Sequence, residues 1–224
     1  MRRAAAAHLL AILSVPFSCM GAIQAVDTAT AVANMQAAWA QVSDYRVRMV
    51  IRTYGLDGSS GVQIFYYTFK KPNRIRLDFI EPHQGMILIF PDKEGKVFVR
   101  PAGLARLFRF HLQPDSRRLL VSAGQRIDQT DLGLLITNIA RSLTDWRRGP
   151  ALTTETDGLL TIQVAATDHF RPHVVTIYKF SIDRNLWLPR EVEESTLEGR
   201  LERTIAFCDL EVNIGVADAV FQTG

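Results

Sequence analysis

The chain has 224 residues, enough for one domain with a substantial core, and 47 % are hydrophobic against 22 % charged, which excludes a disordered protein. Lysine and arginine number 26 and aspartate and glutamate 23, a formal net charge of +3. That balance excludes general nucleic-acid binding, which needs a basic excess on one face.

The N-terminal stretch "MRRAAAAHLLAILSVPFSCMGAIQA" is unlike the rest. A short basic start, Arg2 and Arg3, precedes an apolar run of roughly a dozen residues that ends near Pro16, and small residues follow. This pattern predicts a secretory signal peptide over residues 1–25, cleaved after Ala22 or Ala25, and a mature domain over 26–224. The apolar run falls short of the roughly 20 residues that span a bilayer. Cys19 suggests an N-terminal lipid anchor, but Pro16 stands where such signals carry a leucine-like residue, so ordinary export is the expectation. Without Arg2 and Arg3 the basic count falls to 24 against 23 acidic residues, so the mature chain is close to neutral. Only Cys208 then remains, which rules out an intramolecular disulfide. Its place in "RTIAFCDLEV" predicts a buried, inert thiol.

The first mature element is predicted helical: "DTATAVANMQAAWAQV" opens on Asp27 or Thr28 as N-cap and repeats Val32, Met35, Trp39 and Val42 at helical spacing. The period then switches to two. Tyr45, Val47, Met49 and Ile51 alternate with Arg46, Arg48 and Arg52, and a turn-rich "LDGSSG" follows. "VQIFYYTFKKP" carries bulk on both faces and predicts a strand covered on both sides. "NRIRLDFIEP" alternates again, "MILIF" is continuously apolar, and "DKEG" turns the chain into "KVFVRP". "LARLFRFHLQP" reads as one more strand.

In mid-chain Leu132, Leu135, Ile136, Ile139, Ala140 and Leu143 form a helical stripe, with Thr130 or Asp131 as cap and Gly149-Pro150 as stop. Strands resume in "LLTIQVAA", "HVVTIYKFSI", "WLPREVEES" and "RLERTIAFCDLEV". Roughly nine to eleven strands with few helices predict a mainly β, α+β fold built on a curved antiparallel sheet. A curled sheet has an inside. The helix over 131–145 is the available cover, and beneath it lies either ordinary core or an apolar pocket; periodicity does not separate the two.

Three stretches resemble a known family. "FYYTFKKPNRIRLDFIEP" is similar to the early strands of the LolA-like periplasmic carriers of outer-membrane lipoproteins. "FCDLEVNIGVADAVF" resembles that family's ending, N-x-G-x-x-D-x-x-F, and "SIDRNLWLPREVEESTLEGRLERTIAF" its preceding meander. The resemblance covers most of 27–222, while 101–150 is closer to a less characterised branch. It implies a half-open β-barrel with helices as a lid over a hydrophobic cavity, and a cargo of lipid or lipoprotein acyl chains. The partners it implies are an inner-membrane donor protein and an outer-membrane acceptor protein. It also implies a lid contact from the basic residue before the strand-linking proline, here Lys71 where the family usually has arginine. Lysine offers one flexible contact in place of arginine's planar fork; a solvated charge at a hairpin end is the other reading.

The expected cavity is bordered by Met49, Ile51, Phe65, Phe69, Leu77, Phe79, Ile87, Ile89, Leu135 and Ile139, with the facing of Phe65 and Phe69 left open by their double-faced strand. No hydrolase, zinc-protease, redox or nucleotide motif occurs. Asp168, His169 and His173 are the one tempting cluster, but Pro172 prevents a helix that would align the imidazoles, so loop histidines are expected. "EVEES", with Glu191, Glu193 and Glu194, puts two carboxylates on one strand face, which reads as solvated. The reading is a monomeric binding protein without cofactor, metal or catalytic residues. The alternatives are an envelope regulatory module that binds a protein partner, and a lipid-acting enzyme using 168–173.

Overall fold

A computed structural model describes residues 26–116, 119 and 126–223; the expected signal peptide over 1–25, with Cys19, lies outside the described residues. Helix α1 (Thr28–Gln41) starts where Asp27 accepts a hydrogen bond from the Thr30 amide, and it buries Ala31 and Met35. Strands β1 (Asp44–Tyr54), β2 (Ser60–Lys70), β3 (Arg74–Glu81), β4 (Ile87–Phe90), β5 (Val97–Arg100) and β6 (Phe110–Leu112) then step outward as an antiparallel meander. Helix α2 (Leu132–Thr144) crosses back over the sheet. Strands β7 (Leu152–Thr156), β8 (Leu159–Thr167), β9 (Val175–Asp183), β10 (Leu188–Ser195) and β11 (Leu201–Val212) return toward β1. The order is β6-β5-β4-β3-β2-β1-β11-β10-β9-β8-β7, one open eleven-stranded sheet whose first and last strands pair at its centre.

This is the predicted α+β architecture, a curved half-open sheet with helices on its concave side. One predicted strand is corrected. In "LARLFRFHLQP" only Phe110–Leu112 pairs; Gly103–Leu107 is a 3-10 helix, entered through Gly103 at φ +60°, and its side chains face solvent.

The concave face carries the main core. Phe65, Tyr67 and Phe69 of β2 all point inward, and Ile75, Leu77 and Phe79 of β3 lie beside them in register. The outer face of β2 is only partly covered, with Tyr66 lying 36 % exposed under the Arg46 guanidinium. Expected burial at Cys208 is also corrected: it neighbours inward-facing Phe207 in β11 and is half-buried.

Ile87 and Ile89 require the larger correction. Both lie in a second, smaller cluster on the outer face, with Phe98, Val216 and Phe221. "MILIF" is buried on both sides, so it lacks the alternation that reveals facing. The cover on the outer side is the C-terminal tail, and the N-x-G-x-x-D-x-x-F residues are what dock it. Asn213 accepts from the Ser43 amide (2.7 Å) and donates to the Gln41 carbonyl (3.0 Å). Gly215, at φ +72°, donates to buried Asp44. Asp218 bridges Lys70 (2.6 Å) and Arg74 (3.0 Å), and Phe221 packs on the outer cluster.

Helix α2 is seated by a close approach. A methyl group at Gly133 would overlap Nε1 and Cε2 of the Trp39 indole and lie 2.8 Å from its Cζ2. That indole packs edge-on to Tyr45 and tilted on Phe69. Glycine to alanine in a helix normally stabilises by up to about 1 kcal/mol. Gly133→Ala should reverse that sign and cost about 1–3 kcal/mol through overpacking. Chemical denaturation would show it, and the penalty should shrink in a Trp39→Leu background.

Candidate functional site: an apolar pocket beneath helix α2

The space between α2 and the concave sheet is a cavity of about 50 Å³. Strand alternation supplies its floor: Met49 and Ile51 from β1, Phe65 and Tyr67 from β2, Leu77 from β3, Val192 from β10, Ile205 and Phe207 from β11. Leu134 and Leu135 of α2 form its roof. Ligand pockets usually hold about 300–1,000 Å³, so the space beneath α2 is nearly filled by side chains. A second apolar cleft of about 360 Å³ opens on the same face farther along the sheet, between Phe79, Leu88, Val99, Phe110, Leu112 and Leu119. Buried Gln63 Oε1, on a residue lining this cleft, lacks a hydrogen-bond partner among the described residues.

The residues expected at the cavity therefore divide. Met49, Ile51, Phe65, Leu77 and Leu135 line the pocket under α2, and Phe79 lines the second cleft. Phe69 and Ile139 are buried in the main core and border neither. Ile87 and Ile89 are on the other side of the sheet.

Polar contacts hold α2 at both ends. At its start, Asp131 caps the Gly133 and Leu134 amides, and the Leu132 amide donates to the Tyr45 hydroxyl (3.3 Å). The Tyr67 hydroxyl pairs with Thr130 Oγ1 (3.0 Å), and the Tyr45 and Tyr67 rings stack. Burial pushes both phenols well above their usual range, so both hydroxyls stay neutral. Toward the C-terminal end, buried Ser142 hydrogen-bonds His169 Nε2 (2.8 Å), whose ring stacks on Tyr178. Beyond the helix, the Arg147 amide donates to Ala165 of β8 (2.7 Å), where that strand extends past β7.

His169 lies in a loop, as expected, and faces inward, whereas His173 is exposed. Burial pulls the His169 pKa down to about 4; Arg141 and Arg203 add to this, and Asp168 opposes it. The Asp168 oxygens are taken by Arg171, Thr176 and the Phe170 and Arg171 amides, so this carboxylate does not orient the imidazole. Asp168 is pushed up by burial, but these hydrogen bonds outweigh it and hold the carboxyl below its usual range.

Sequence reasoning did not single out Glu194. It faces inward between alternating Val192 and the end of β10, and forms a paired contact with Arg203 at 2.6 and 2.9 Å. The two side chains are 7 % and 5 % exposed and lie in the pocket wall. Glu191 and Glu193 do sit on the partly solvated face, Glu193 with Lys179. The signal was available: Glu194 follows Val192 by two residues and so shares its face.

Lys71 touches the end of α1. Its ammonium donates to the Trp39 carbonyl (2.8 Å) and more weakly to Ala40 (3.4 Å), and lies over the Trp39 ring. A cation is favoured there by the helix dipole.

No family model matches the chain, and no curated protein matches it in sequence. Solved structures do. MucB is matched over 88 % of this chain and 63 % of its own, at 15 % identity and a TM-score of 0.50. An uncharacterised conserved protein from Thermus thermophilus is matched over 87 % and 93 %, at 7 % identity and a TM-score of 0.51. The LolA superfamily protein NE2245 from Nitrosomonas europaea is matched over 88 % and 98 %, at 12 % identity and a TM-score of 0.41. The chain spans about 60 % of the length of the MucB chains it matches. These likenesses are of fold alone: an open curved sheet with overlying helices.

Two measurements follow from the pocket. Glu194→Leu removes the carboxylate paired with the buried Arg203 guanidinium and should cost about 3–5 kcal/mol in unfolding free energy, while adding Arg203→Met should recover most of it. His169 binds its proton less readily folded than unfolded, so stability should fall as pH drops from about 6.5 toward about 4 and stay flat above. Unfolding free energies at about pH 7 and about pH 5 should differ by about 2 kcal/mol, and His169→Gln should remove most of that slope.

Proposed function

We propose that the protein is an exported, periplasmic binder and carrier of lipids or of lipoprotein acyl chains. The observation that carries this reading is the apolar floor of the curved sheet under a helix held mainly by its own apolar stripe and a few polar ties. Helix α2 buries Leu132, Ile136 and Ile139 against that floor, worth about 1.5–3 kcal/mol for each side chain. An acyl chain offers about 0.8 kcal/mol for each buried methylene. A chain of about fourteen methylenes therefore brings burial energy of the same order as the stripe it would displace. Opening exposes Tyr45, Tyr67 and His169, which release Leu132, Thr130 and Ser142 without leaving a charge unpaired. A ligand shifts this equilibrium only by its differential affinity for the open state. Directional transfer then requires a donor protein at the inner membrane and an acceptor at the outer membrane. Among the described residues no helix is long and apolar enough to cross a membrane.

A second reading is a regulatory module that binds a protein partner. It is favoured by the near-complete filling of the space beneath α2, about 50 Å³. Native mass spectrometry of protein purified from its own periplasm without detergent separates the two. The carrier reading expects a retained species of lipid mass, binding of a fluorescent fatty-acid probe, and at least about tenfold weaker probe binding in Leu135→Glu, where a charge meets the acyl chain. A clean apo mass with no probe binding overturns it and favours the partner-binding module.

A further inference from the structure

The 3-10 helix Gly103–Leu107 and the residues after it form an unusual surface. All eight residues from Gly103 to Phe110 are exposed, and four of them are large and apolar. Leu104 is 96 % exposed, Leu107 82 %, Phe108 63 % and Phe110 46 %. In a 3-10 helix residues three apart eclipse, so Leu104 and Leu107 project together. Contiguous apolar exposure of this kind marks an interaction surface.

Charge identifies the partner. Arg100, Arg106 and Arg109 are interleaved with these apolar residues, and no aspartate or glutamate occurs between 95 and 114. Among the described residues none of the three arginines has an ion pair. Arg106, Leu107 and Arg109 border an open groove with Arg100 and the β3–β4 turn. The meander places the β1–β2, β3–β4 and β5–β6 connections at one end of the sheet, so Leu56, 87 % exposed, crowns the same rim. Acidic groups on the two neighbouring turns are Asp57 and Glu81. Apolar side chains standing proud of the surface, with arginines whose stems lie along them and whose charges stay at headgroup level, suit the interface of an anionic bilayer. An acidic protein groove would pair the arginines but would not require leucines this far from any neighbour.

We infer that this rim docks the protein on anionic lipid surfaces through Leu104, Leu107 and Phe108, with Arg100, Arg106 and Arg109 engaging lipid phosphates. Phe110 belongs both to the rim and to the wall of the 360 Å³ apolar cleft, so docking brings that cleft to the bilayer. The docking surface rests on exposure and charge and stands whether or not α2 opens for an acyl chain.

The test is co-sedimentation of the purified protein with phosphatidylcholine vesicles, with and without phosphatidylglycerol. The expected result is binding to the anionic vesicles, weak or no binding to the neutral ones, and release by rising salt. Replacing Arg106 or Arg109 by Gln should weaken binding about fivefold each. Leu107→Asp with Phe108→Asp should weaken it by at least about tenfold. These exposed positions leave the circular dichroism and the binding of a soluble fatty-acid probe unchanged, which separates failure of docking from failure of the carrier reading. Absence of anionic-vesicle binding, equal binding to neutral vesicles, or insensitivity to both sets of substitutions overturns the inference. Capture of an acidic protein without any vesicle binding overturns it too, and assigns the rim to a protein partner.

Discussion

The seat of α2 against Trp39 and the paired tyrosines is the constraint on which the rest of the structure depends. Gly133 lets the two helices approach to where any side chain would meet the indole. Tyr45 and Tyr67, stacked on adjacent strands, then receive the start of α2 through their hydroxyls. The chain between β6 and β7 must cross the whole concave face, and this seat is where the crossing is held. Placed there, α2 turns an open sheet with a large apolar surface into a domain with a buried core. Without it, the floor from Met49 to Phe207 would face water.

The opposite face is built differently, and the contrast bears on function. The C-terminal tail is locked to the outer side of β1–β5 by charge-assisted contacts from Lys70, Arg74 and Arg76 and by the Asn213–Ser43 bonds. The ties of α2 to the sheet are neutral hydrogen bonds between hydroxyls, an amide and an imidazole. Neutral pairs contribute less than charge-assisted ones and leave a smaller penalty when broken. The sheet thus has one face bound firmly by its own tail and one face under a cover held by weaker bonds. This asymmetry supports the proposed reading of a binder that opens on one side.

Much of the scaffold was legible along the chain because each strand of β1 and β3 alternates cleanly, and the stripe of α2 has a capping Asp131 before it. Legibility failed where local pattern is silent. Ile87 and Ile89 were assigned inward, yet a strand apolar on both sides does not declare its facing until the tail that covers its outer side is known. Glu194 was not singled out because its partner, Arg203, lies on the neighbouring strand nine residues on. The exposed rim at 103–110 looked like a strand, because its apolar and basic residues mimic alternation while Gly103 takes the backbone out of the ladder.

By itself, the order of residues determined the kind of fold. Period-two and helical patterning, turn residues and caps are local properties, and together they specify an antiparallel meander interrupted by one amphipathic helix. The tertiary structure alone decided which face each double-sided strand presents, that an ion pair lies in the pocket wall, and how tightly α2 closes. Those outcomes depend on contacts between residues far apart in sequence, whose energies arise only when burial removes water from both partners at once.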